Sequence, residues 1–126
     1  MKNEVLTKLW QHLLSLQKGF AFSGQKKRIV FENGECRYVD LEMYNIEIHS
    51  VVLINIRTGL PNAAETEQMQ RLVDYYDKCE RYPHENPAIG IVINKTKNDC
   101  YISYIGVTDK QKQLAERSLA LHEFKG

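Results

Sequence analysis

The chain has 126 residues, 17 Lys and Arg against 16 Asp and Glu for a net charge of +1, and 43% hydrophobic and 26% charged residues. These totals fit one compact domain spanning 1–126, large enough for a real core and too short for two. No apolar run approaches the ~18 residues of a membrane span, and Met1-Lys2-Asn3-Glu4 leads into an amphipathic segment rather than a signal peptide, so the expected location is the cytoplasm with no membrane partner.

Val5, Leu6, Leu9, Trp10, Leu13 and Leu14 follow helical spacing and predict an amphipathic helix over 3–17. Gly19 and Gly24 bracket a short aromatic piece, Phe20-Ala21-Phe22. The one compact basic cluster is Lys26-Lys27-Arg28, with Lys18 nearby; a solvated strand start and a phosphate contact are both open. A strand is expected over 27–32, then a hairpin turn with Asn33-Gly34 at its centre. Residues 36–44 alternate, with Val39, Leu41 and Met43 pointing one way and Tyr38, Asp40, Glu42 and Tyr44 the other.

Residues 50–58 form a nearly continuous β-branched run, the mark of a central strand buried on both faces. Only Asn55 and Arg57 interrupt its second half, and period-2 geometry puts both on one face. Gly59-Leu60-Pro61 breaks the strand, with Gly59 serving the turn, and Asn62 is a plausible cap for a helix over 63–81. Its apolar stripe is Met69, Leu72, Val73 and Tyr76. Pro83 and Pro87 bound a loop into a buried strand over 88–93, a turn at 94–98 and a returning strand over 99–105. The tail, 109–124, reads as a short helix and a last extended piece around Leu119-Ala120-Leu121. The order is therefore αβββαββ with a short α/β tail, an α/β fold with a mixed central sheet flanked by helices.

Several segments in that order carry a resemblance: Lys18-Gly19-Phe20-Ala21-Phe22, Tyr38-Val39-Asp40-Leu41 with Tyr44-Asn45, the Val51 to Gly59 strand, Glu67-Gln68-Met69-Gln70, Tyr75-Tyr76-Asp77, Glu85 to Ile91, and Lys95 to Asp99. Together they resemble the restriction-endonuclease-like PD-(D/E)XK nuclease superfamily, and more closely the C-terminal domain of bacterial YhcG-type proteins. The resemblance covers nearly the whole chain. It implies a site with a Glu on the first helix, an Asp on one strand, an acid-x-Lys pair on the next and a Gln on the following helix. In such sites two carboxylates hold a magnesium ion that activates water, and the lysine stabilises charge or positions the attacking water.

Carried over residue by residue, the resemblance matches Asp40 to the strand Asp and Gln68 to the helix Gln. The other positions depart: Ser15 falls at the helix Glu, Asn55 at the strand acid, Arg57 at the lysine, and Leu72 at an aromatic common after the Gln. Asn55 offers an oxygen without charge, and Arg57 stays protonated, gripping phosphate in two places but unable to accept a proton. Asp40 and Arg57 are expected to pair. A migrated acid could restore a metal ligand: Glu42 shares the face of Asp40, and Glu65 and Glu67 sit on the helix, with Glu67 beside Gln68 the preferred substitute. The reading for Glu42 and for Glu67, each taken alone, is solvated surface charge.

The histidines at 12, 49, 84 and 122 lack partners at metal-ligand spacing and read as surface residues, His12 on the polar side of the first helix. Cys36, Cys79 and Cys100 are odd in number with no CxxC pair, so they read as reduced thiols. Trp10 reads as core, and Tyr75 and Tyr76 divide between core and surface.

Three functions of different classes follow. One is a catalytically impaired nuclease-fold domain acting as a nucleic-acid-binding or assembly module, touching DNA backbone through Lys26, Lys27, Arg28 and Arg57 without a cofactor. Another is an active endonuclease using Asp40, a migrated acid and Mg²⁺. The third is a protein-interaction domain, as a homodimer or beside a separate helical partner, since the resemblance implies a helical region accompanying this domain.

Overall fold

In the computed structural model the described residues are 2–16, 20–106 and 108–126, with side chains described outside residues 2 and 20–27. Lys18 and Gly19 lie outside the described residues, as do the side chains of Lys26 and Lys27. The elements are α1 (Lys2–Ser15), β1 (Phe20–Val30), β2 (Cys36–Asn45), β3 (Ser50–Thr58), α2 (Ala63–Cys79), β4 (Ile89–Lys95), β5 (Cys100–Ile105) and α3 (Asp109–Leu119), then a 3-10 turn at Leu121–Glu123. The five strands form one sheet in the order β1-β2-β3-β4-β5. Its pairs are antiparallel except β3–β4, which is parallel. This is the expected mixed sheet flanked by helices, and α2 supplies the crossover that a parallel pair needs.

The sheet has two covered faces. Leu41, Met43, Ile54, Ile56, Ile91 and Ile93 pack with Leu9 and Leu13 of α1 and with Ala115 and Leu119 of α3. The opposite face packs Leu53 and Val92 against Met69, Leu72, Val73 and Tyr76, the stripe expected of α2. Asn62 caps α2 by accepting from the Glu65 backbone N–H at 3.0 Å. Gly90 lets the helix approach closely, since a Cβ there would fall 2.6 Å from Met69 Cγ.

Three local expectations change. The aromatic piece at 20–22 is the beginning of β1, which runs from Phe20↔Asn45 to Val30↔Cys36 with its register shifting between Phe22 and Gly24. A glycine inside a strand often marks such an irregularity, and here it masked the strand's length. The tail has no extended piece: Ala120 takes a left-handed conformation (φ 49°) that ends α3 and starts the 3-10 turn. His12 does not face open solvent; its Nε2 lies 3.0 Å from the Leu119 carbonyl oxygen and its ring packs against Phe124.

Candidate active-site cleft

The site lies where β2 and β3 part. Their ladder runs from Asn45↔Ser50 to Leu41↔Ile54 and ends there. One residue further on, side chains take over from backbone. The Asp40 N–H donates to Asn55 Oδ1 at 2.9 Å, and the Ile56 N–H donates to Asp40 Oδ2 at 2.8 Å. Buried backbone donors must find acceptors, so this pair of polar side chains satisfies groups that diverging strands would otherwise orphan. The in-out alternation of β2 also fails here: Val39 joins the cluster on the α2 side, whereas Leu41 and Met43 belong to the opposite one.

Arg57 closes the arrangement. Its Nη1 lies 3.4 Å from Asp40 Oδ2 and donates to the Ile56 carbonyl at 3.0 Å. The Asp40 carboxylate is almost wholly buried and the guanidinium is 29% exposed, so the pair sits at the floor of a cleft rather than on open surface. The expected Asp40–Arg57 contact is therefore present. Around it, Cys36, Arg37, Tyr38, Ile56 and Thr58 line an open cleft of about 380 Å³. Arg28 stands at its β1 side, exposed, with Nη2 donating to Cys36 Sγ at 3.0 Å; that sulfur raises the arginine's pKa.

On the other flank, Arg57 is the in-register neighbour of Asn94 on β4. Asn94 is buried, and its Nδ2 donates to Glu65 Oε1 at 2.8 Å. Its Oδ1 is buried with no hydrogen-bond partner among the described residues. Glu65 is thus drawn to the β4 end of the sheet, one strand beyond Arg57.

The remaining expected residues lie apart from this constellation. Gln68 is half-buried and Glu67 exposed on α2, and neither lines the cleft. Ser15 is exposed, its hydroxyl donating to the His12 carbonyl at 2.6 Å. Leu72 is in the core. Glu42 is not solvated surface charge: it is buried beside a separate pocket with Tyr76, Cys79, Glu80 and Tyr82. Burial first, then the charges of Glu85 and Glu42, push the Tyr76 phenol well above its ordinary pKa.

Magnesium fits this donor set poorly. The Asn55 carbonyl oxygen is taken by the Asp40 amide, and one Asp40 oxygen is taken by the Ile56 amide and faces the Arg57 guanidinium. Among the described residues no group of three His, Cys, Asp or Glu side chains could hold a metal ion. Hard divalent cations need several oxygen ligands, chiefly anionic ones, so the arrangement offers guanidinium chemistry instead: anion binding without proton transfer. The other histidines are engaged locally, His49 with Tyr44, His84 stacked on Tyr82, and His122 with Glu123. All three cysteines are free thiols.

Sequence reasoning missed Arg37, Tyr38 and Thr58 as cleft walls and Asn94 as a buried neighbour. Tyr38 carried no reliable signal, since the alternation of β2 breaks between Val39 and Leu41 and parity could not place it beside Asp40. Asn94 carried one, as a polar residue closing an apolar strand two positions after Val92.

A family described as the YhcG PDDEXK nuclease domain matches residues 1–123. A curated relative, "Putative nuclease YhcG" of Escherichia coli K12, is 26% identical over 89 residues, which is 71% of this chain and 24% of the relative. The chain thus spans about a quarter of that protein's length. Among solved structures, a repair endonuclease from Pyrococcus abyssi superposes with a TM-score of 0.55 at 16% identity, covering 93% of this chain and 43% of that one; the likeness is one of fold. No helix among the described residues is long and apolar enough to cross a membrane.

Proposed function

The chain belongs to the YhcG PDDEXK nuclease domain family, and on that premise we propose that it is a nuclease-fold domain impaired in hydrolysis that binds nucleic-acid backbone. The observation carrying this reading is the Asp40–Asn55–Arg57 constellation, in which Asn55 Oδ1 and Asp40 Oδ2 are engaged by backbone amides and a guanidinium. A magnesium-dependent nuclease concentrates negative charge at this place. Here the floor carries one carboxylate and one guanidinium, with Arg37 on the wall and Arg28 at the β1 side. Arginine keeps five donors in a planar fork, so Arg57 can hold Asp40 and still present N–H groups to a phosphate. Lys26, Lys27 and Arg28 on β1 would extend the contact to neighbouring phosphates without reading bases.

Binding of labelled DNA at two salt concentrations tests this. The expected result is measurable affinity that falls as salt rises. Arg57→Gln should weaken binding and flatten the log–log salt slope by about 0.7–0.9 for each phosphate it leaves unneutralised. Absence of binding, or binding indifferent to salt, would refute it. A parallel assay with supercoiled plasmid in Mg²⁺ or Mn²⁺ should show no cutting. Cutting abolished by Asp40→Ala would instead establish an active enzyme.

A further inference from the structure

The cleft has a wall that phosphate binding alone does not use. Tyr38 is 57% exposed, more so than Tyr101, the other exposed aromatic residue on a strand among the described residues, and it lines the same cleft as Asp40, Arg37 and Arg57. It follows Arg37 directly and stands opposite Arg28 in the β1–β2 register. One small concavity of about 380 Å³ therefore has an exposed aromatic residue and two arginines in its lining, Arg57 against Asp40 and Arg37 donating to the Cys36 carbonyl and paired with Glu35, with Arg28 beside it. A site for phosphate alone needs the cations and gains nothing from an exposed phenol ring. Beside the ring the cleft walls are Arg37, Asp40, Arg57 and Thr58, with Cys36 and the buried Ile56, so charged and hydrogen-bonding groups stand within the same concavity as the aromatic face.

We propose that this cleft is a subsite for one unpaired nucleotide, its base stacked on Tyr38 and its phosphate held by Arg57. The preferred ligand is then single-stranded nucleic acid. In a duplex the base faces are covered by their neighbours and cannot reach a ring set in a cleft wall beside the cations, while a flexible single strand can turn one base outward. Stacking of this kind tolerates any base, because every base has a π-face, so no sequence preference accompanies it. The volume suits one nucleotide, lying at the lower end of ordinary ligand pockets. This inference rests on the backbone-binding reading above and adds to it the class of nucleic acid.

Fluorescence anisotropy with a labelled oligothymidylate and a blunt duplex of the same length separates the two. The expected result is tighter binding of the oligothymidylate. Tyr38→Ala should weaken it by about 5- to 150-fold, the effect of losing one stacked base, with duplex affinity and the salt dependence unchanged. Tyr38→Phe should bind as the parent does. Because the ring is exposed, both variants should retain the parent's circular dichroism and melting temperature. Equal affinity for the two ligands, or an oligothymidylate affinity insensitive to Tyr38→Ala, overturns the stacking proposal and leaves backbone binding standing. Failure to bind either ligand overturns both.

Discussion

The two faces of the central strand β3 do different work. Toward α1 and α3 it presents Val52, Ile54 and Ile56, all fully buried among apolar neighbours. Toward α2 it presents Val51 and Leu53 in its first half, then Asn55 and Arg57 in its second. One parity of a single strand carries cohesion as far as Ile56. The other changes from cohesion to polar chemistry at the residue where β2 leaves the ladder. The lesson is that a strand with near-uniform apolar composition can still be divided by function, because period 2 separates its residues into independent sets.

Substitutions on the two faces should differ in kind as well as size. Ile54→Ala, on the cohesive face, should cost about 2–5 kcal/mol in urea unfolding through the cavity it leaves, with nucleic-acid affinity per folded molecule unchanged. An equal loss of binding in the folded fraction would erase the distinction. Asp40→Ala, on the polar face, should cost about 1–3 kcal/mol, because it strands the buried Ile56 amide and frees Arg57 from its counter-charge. Asp40→Asn, which keeps an acceptor, should recover part of that stability. If alanine and asparagine unfold alike, the strand-stitching role assigned to this carboxylate is wrong.

The α2 side can be probed at its tight and open ends. Gly90→Ala places a methyl 2.6 Å from Met69 Cγ and 2.8 Å from Val73 Cγ2, so a melting series should show about 1–3 kcal/mol of destabilisation from overpacking. An unchanged midpoint would mean the helix is less firmly seated than the contact implies. Smallest of the set, Asn62→Ala removes the cap on Glu65 N–H and should cost about 1 kcal/mol by the same assay. A negligible change would show that packing alone fixes where the helix begins.

Much of this architecture was legible because its signals are local. The stripe Met69, Leu72, Val73 and Tyr76, the cap at Asn62 and the Asn33-Gly34 turn each depend on residues close in sequence. The meeting of Asp40 with Arg57 was legible from strand parity joined to family resemblance. What escaped depends on distant packing. Glu42 alternates like a surface residue, yet it is buried beside Tyr76 of α2. Leu119-Ala120-Leu121 has the look of a strand, but Ala120 turns left-handed and folds the chain back onto α1. The use of Asn55 as a backbone acceptor could not be read at all, since no local pattern announces where two strands diverge.

That acceptor role bears on how disarmed enzymes are diagnosed. An aspartate whose carboxylate accepts from the Ile56 backbone amide has a task in the scaffold that does not depend on any cleavage. Its presence in a motif is then accounted for by architecture alone and does not by itself establish a working catalyst. The more telling witness is its neighbour at position 57, where the choice of cation decides what company the aspartate can keep.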